Sequence, residues 1–196
     1  MTQAGSGNLV DSFAGVLALT ALIATGYTIS SALRLRTEEA AGHLEALLSA
    51  PVGRRRWAAR HVVMAMAGSA LVLVAAGAGV GLAHAIGSAD ASQLPRLTAA
   101  ALAQVPATWV LGAIAIALFG LAPRATVAAW GALGACVLLW LLKPLLHAPG
   151  WLLDVSPFEH VPGVPATSLA AGPLLALVAV AVAGPGFVAF SRRDVR

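Results

Sequence analysis

Side chains able to do chemistry are few in this sequence and unevenly spread. Three of the eight acids (Glu38, Glu39, Glu45) and six of the twelve Lys+Arg residues fall within residues 34–60, RLRTEEAAGHLEALLSAPVGRRRWAAR. The other acids, Asp11, Asp90, Asp154, Glu159 and Asp194, stand singly in or at the edges of the intervals between apolar runs. An intramembrane enzyme, or a carrier driven by protons or sodium, sets carboxylates, histidines or a metal at mid-span. No acid sits there, and His61, His84 and His147 fall at run ends, where an imidazole reads as interfacial rather than ligating. HExxH and GxSxG motifs are absent. The single cysteine, Cys136, excludes an internal disulfide and a Cys-rich metal site. A Walker A loop ends in Gly-Lys-[Ser/Thr], whereas the only lysine, Lys143, lies between Leu142 and Pro144. GAGVG at 77–81 imitates a dinucleotide fingerprint, but its third glycine comes too early and no strand or ribose-binding acid accompanies it; small residues for close helix packing fit better. The expectation is a protein with no catalytic residue, metal, cofactor or nucleic-acid partner.

The elements that must position residues 34–60 follow from composition. Of 196 residues, 59% are hydrophobic and only 10% charged, with mean hydropathy +0.87. A soluble domain carries about 25% charged residues, and apolar runs of about 20 residues match a helix crossing ~30 Å of hydrocarbon. The class is an all-α, polytopic transmembrane bundle forming a single domain. About five spans are expected, over residues 13–33, 61–84, 97–121, 127–146 and 169–190. No cleavable signal peptide is expected, because the first twelve residues lack a basic region. Thr25, Thr28, Ser30 and Ser31 in the first span should bond preceding carbonyls or a neighbouring helix. Pro106 should kink the third span, with Gln104 and Thr108 close enough to serve the freed carbonyl. Lys143, near a span end, should snorkel to the surface. The loop 147–168 holds Pro149, Pro157, Pro162 and Pro165, which oppose continuous helix, while Trp151, Leu152, Leu153 and Phe158 should keep it at the interface. Gly184-Pro185-Gly186 should kink the last span.

Within residues 34–60, Ala40, Ala41, Leu44, Leu47 and Leu48 recur at the spacing of one helix face, with Glu38, Glu39, His43 and Glu45 off it. Thr37 reads as an N-cap with Glu38 and Glu39 in a first turn, and Pro51 should end this helix near Ser49. Arg54, Arg55, Arg56 and Trp57 then open the next helix as an interfacial anchor on lipid headgroups. If this segment is cytoplasmic, ten cations (residues 34–60, Arg124 and the tail) face Arg96 and Lys143 on the other side. That bias puts the N-terminus outside and the C-terminus in the cytoplasm of a cell-membrane protein.

The run from Glu38 to Arg54, with a doubled acid, Gly42, Leu44-Glu45-x-Leu47-Leu48 and Pro51-Val52, resembles the element after the second span in type-2 ABC transporter permeases. The two alanines after Glu39 and the later Trp57 look closest to the polyketide-antibiotic exporter branch. Ser156-Pro157-Phe158-Glu159-His160-Val161-Pro162 and the Phe190-Ser191-Arg192-Arg193-Asp194 tail fit the same branch. The resemblance implies a permease paired with a separate ABC ATP-binding subunit. Its contact, a coupling helix, would be formed by Glu38, Glu39, Gly42, Leu44, Glu45, Leu47, Leu48 and Pro51. A second permease half or a homodimer partner would complete the path, and the cargo would be an apolar or amphiphilic compound such as an antibiotic. A six-span half is usual in that family, so five spans beginning at the family's second imply a C-terminal portion or a truncated form. By elimination, Tyr27, Trp109, Lys143 and Asp154 are the candidates for a cargo path. The alternative is a non-transporting scaffold or immunity protein whose basic loop holds anionic lipid. An autonomous channel is a further alternative.

Overall fold

Hydrocarbon leaves a backbone no partner but itself, so apolar runs of this length fold as helices. The computed structural model describes residues 4–40, 54–88, 90–143, 150–161 and 171–192, and no strand occurs among them. Among the described residues six helices carry the fold: α1 (Ala4–Ala40), α2 (Arg54–Ser88), α3 (Gln93–Ala103), α4 (Val105–Leu121), α5 (Ala128–Leu142) and α6 (Ala171–Arg192). A single turn at Gly150–Leu153 and a 3-10 turn at Pro157–His160 shape the loop before α6. Four stretches are long and apolar enough to cross a membrane: Phe13–Arg34, Ala58–Ser88, Gln93–Leu121 and Gly172–Ala189. The fifth expected span is shorter. In its described part, α5 has 15 residues, about 22 Å of rise.

Three boundaries differ from expectation. Helix α1 does not restart at Thr37; it runs through to Ala40. RLRTEEA contains no glycine or proline, and Leu, Arg, Glu and Ala are all strong helix formers, so nothing halts a helix already under way. Threonine caps only where a chain enters a helix. At the other end α1 begins at Ala4, well ahead of residue 13. The interval 85–96 is mostly helix, since α2 extends to Ser88 and α3 starts at Gln93. Asp90 makes the turn between them: its Oδ1 accepts the Ser92 N–H at 2.9 Å.

The third span is interrupted where Pro106 predicts. Gln104 separates α3 from α4, and Pro106 occupies the first turn of α4, where an absent N–H costs little. The Gln104 N–H donates to Ala101 O at 3.1 Å, and Thr108 Oγ1 donates to Val105 O at 2.7 Å. The buried Gln104 Oε1, itself an acceptor, has no partner among the described residues.

Helix α4 is the centre of the bundle. It meets α1, α2, α3, α5 and α6, and its buried residues, Ala107, Val110, Leu111, Ala113 and Ile116 among them, lie all round it. Lipid tails are as apolar as leucine, so packing here relies on close approach at small residues. A Cβ on Gly112 would stand 2.5 Å from Thr28 Cγ2 of α1. Gly120 of α4 and Gly186 of α6 bring two backbones together with no room for a side chain on either. In the GAGVG run, Gly77 and Gly81 face α3, against Leu97 O and Leu94 Cα, while Gly79 faces open space. That segment is a packing seam one helical turn long.

Candidate functional site

Two kinds of feature stand out: the end of the α1–α2 pair, where the charged segment begins and ends, and two cavities beside α4.

Helices α1 and α2 are antiparallel neighbours. The Phe13 ring meets the His84 ring edge-on at 5.3 Å, Ala21 and Ala24 pack with Leu73, and the Tyr27 ring covers Gly68. The same register brings the last turn of α1 level with the first turn of α2. With 37 and 35 residues, these helices are about 55 and 52 Å long, against ~30 Å of hydrocarbon. Their apolar stretches end at Arg34 and begin at Ala58. Residues 35–40 and 54–57 therefore continue both helices past the apolar band, and residues 41–53 leave and return at one end of the bundle. Glu38 and Glu39 lie in the final turn of α1 rather than the first turn of a new helix. Arg54, Arg55, Arg56 and Trp57 open α2, as their composition predicts, and Arg56 is exposed. Gly42, Leu44, Glu45, Leu47, Leu48 and Pro51, and with them the expected coupling helix and its end at Pro51, lie outside the described residues.

The first cavity, about 320 Å³, lies between α1, α2, α4 and α6. Thr28, Met66, Trp109, Ile116, Ala183 and Phe187 are among its walls. Its polar groups are already engaged: Thr28 Oγ1 donates to Ala24 O at 2.8 Å, and Trp109 Nε1 donates to Met66 O at 3.3 Å. An occupant would meet only hydrocarbon. As expected, the hydroxyls of Thr25 and Ser30 also turn back to their own helix, bonding Ala21 O and Gly26 O at 2.8 Å each.

The second cavity, about 490 Å³, lies between α4, α5 and α6 beneath the 150–161 loop. Its walls are apolar, but Asp154 and His160 stand at its edge. This loop does more than skirt the interface. Phe158 packs into three separate clusters, with Leu22 and Leu133, with Val110 and Leu175, and with Leu73 and Val105, so it wedges between the spans. Lys143 is exposed, as snorkelling requires, and its Nζ pairs with Glu159 Oε2. His160 Nδ1 lies 3.3 Å from Ser156 O.

The four residues proposed for a cargo path do not converge. Trp109 lines the first cavity and Asp154 the second. Tyr27 is half exposed against Gly68, and Lys143 is engaged by Glu159. The cavity walls themselves were invisible in the sequence, because alanine, valine and leucine there are the same residues that face lipid elsewhere. Among the described residues no three His, Cys, Asp or Glu side chains could jointly hold a metal.

Residues 1–191 match the family model for the C-terminal domain of the multidrug efflux system permease Rv1217c. The chain belongs to this family. The multidrug efflux system permease protein Rv1217c of Mycobacterium tuberculosis (strain ATCC 25618 / H37Rv) is 40% identical over 196 residues, covering 98% of this chain. The chain spans 36% of that relative's length. The resemblance read from residues 38–54 therefore holds: this is a C-terminal portion of an ABC-type permease and a multi-pass membrane protein. Within this permease domain, the α1–α2 end and the two cavities are what remain to be given roles.

Proposed function

We propose that the chain is the transmembrane subunit, or the C-terminal part of one, of an ABC exporter. It moves an apolar or amphiphilic compound, such as an antibiotic, out of the cell with ATP hydrolysed by a separate subunit. The observation that carries this reading is the α1–α2 pair, which extends past its apolar band and delivers residues 41–53 from one end of the bundle. Membership of an efflux permease family supports it. Residues 38–51 face the ATP-binding subunit, and Arg54–Trp57 hold the headgroup layer. The bias of ten cations to two puts that end, and the C-terminus, in the cytoplasm, with the N-terminus outside. A second permease half or a second copy completes the path.

Co-purification tests this. The wild-type chain should bring down the product of a neighbouring ATPase gene, and Glu45→Arg or Leu47→Asp should abolish the association while membrane insertion stays intact. Burying a leucine contributes about 1.5–3 kcal/mol, so Leu47→Asp alone should weaken binding at least ~10-fold. Unchanged association in both variants would show that residues 38–51 are not the docking element. Salt-sensitive binding of residues 34–60 to anionic liposomes, with no ATPase partner, would favour the scaffold reading instead.

A further inference from the structure

We propose that the cavity beneath the 150–161 loop is a binding site for small amphiphilic cations. The apolar body would lie between α4, α5 and α6, and the positive charge would lie at Asp154. This deepens the transport reading, on which it rests, by naming a cargo class.

Size comes first. A volume of about 490 Å³ falls within the ~300–1,000 Å³ of small-molecule sites. At about 30 Å³ per water-sized group, it takes a body of roughly fifteen heavy atoms. The walls decide the chemistry of that body. Val110, Ile114, Leu139, Leu175 and Val178 offer hydrocarbon and no hydrogen-bonding group. The way in is lateral, because α5 and α6 make little contact with each other, and the neighbouring Leu174 and Leu138 are exposed to the surroundings.

Charge at the mouth then selects among apolar compounds. Asp154 and His160 of the loop line it, and the Lys143–Glu159 pair lies outside its lining. Lys143 and Glu159 pair with each other and cancel. His160 is turned back to its own loop, with Nδ1 3.3 Å from Ser156 O. Asp154 is exposed at the cavity edge with no ion-pair partner among the described residues. One negative charge is left at the boundary between apolar wall and water, where a head group with one positive charge would sit. The first cavity, whose Thr28 and Trp109 donors are already used, has no such group and would not discriminate by charge.

The chain provides its own reporter, since Cys136 is its only cysteine and lines this cavity. The purified protein in phosphatidylcholine nanodiscs would be treated with N-ethylmaleimide, with and without dodecyltrimethylammonium at concentrations that leave the discs intact. Alkylation of Cys136 would be followed by mass spectrometry. The cation should slow alkylation in the wild-type protein and in Asp154→Glu. In Asp154→Asn, half-protection should need roughly two- to fivefold more cation, the range of an exposed ion pair. Dodecanol should protect wild type and Asp154→Asn alike. An equal rate without ligand in all three proteins shows the cavity intact. The proposal falls if Asp154→Asn and wild type respond identically to the cation, if dodecanol protects wild type as well as the cation does, or if Cys136 cannot be alkylated at all. The assay contains no ATPase. Its failure beside successful co-purification would remove this site and leave the exporter reading standing, and the opposite pair of results would do the reverse.

Discussion

The contact between α4 and α6 can be tested with two glycines two positions apart. At Gly186 a methyl group would stand 2.5 Å from Ala117 Cα and 2.7 Å from Ile116 O, and ordinary contact begins at 3.4 Å. Both obstacles are backbone, so Gly186→Ala must push the helices apart by about 1 Å, a gap that forfeits a quarter to a half of each dispersion contact across it. Leu175, Ala179, Ala107, Val110 and Ala113 form the cluster that would loosen. Overpacking of this kind costs about 1–3 kcal/mol. For a chain of this size, at about 2–4 °C per kcal/mol, Gly186→Ala should melt roughly 2–12 °C lower. At Gly184, on the same helix, a Cβ meets nothing within 4 Å. There alanine meets crowding only from the Pro185 ring next in sequence, offset by the entropic cost of glycine inside a helix, so it should stay within about 1 kcal/mol of wild type. The assay is thermal unfolding in detergent, followed by loss of the monodisperse peak on size exclusion. Equal melting of the two variants would refute the close approach of α4 and α6.

Two further predictions concern the loops. Phe158→Ala should cost about 3 kcal/mol, the low end for Phe→Ala because the ring is partly exposed. It should also speed alkylation of Cys136, which lines a small gap shared with Phe158; an unchanged rate would mean that Phe158 is not the wedge. At the α2–α3 turn, the hydrogen bond from Ser92 holds the Asp90 carboxyl below its usual range. A depressed carboxyl pKa stabilises the fold above the unfolded value of 3.8, and the effect is lost as pH falls through the lower folded value. Hydrogen exchange, corrected for intrinsic rate, should therefore show the Ser92 amide losing protection only below that range, and Asp90→Asn should flatten the dependence.

The apolar runs and their breaks were legible because one strong term, hydrocarbon against water, decides them. Pro106 marked the interruption at Gln104 correctly, since a missing N–H acts within its own helix. GAGVG was read correctly as a packing seam, but which of its glycines does the packing was not visible. Gly77 and Gly79 are identical in sequence and differ only in which way the helix turns them. Gly120 was passed over and Gly186 was read only as part of a kink for the same reason, as their significance is pairwise and long-range. The restart at Thr37 was misplaced because capping rules describe entry into a helix and say nothing of one that has not stopped. Phe158 was expected at the interface; its insertion depends on a space among α1, α4, α5 and α6 that no local pattern announces. The two cavities were likewise hidden, being set by how helices cross.

Helix α1 runs unbroken for 37 residues, whereas the third span beside it is interrupted at Gln104. The bundle thus combines a strut with a jointed member. Displacing Ala40 along the axis of α1 carries Phe13 with it, because every turn between them is hydrogen-bonded to the next. Helices α3 and α4 cannot follow as one body, since α3 is seamed to α2 by Gly77 and Gly81 while α4 is keyed to α1 at Gly112 and to α6 at Gly120. The two sets of contacts meet at the single residue between α3 and α4, whose backbone keeps helical angles and whose side-chain oxygen has no partner among the described residues.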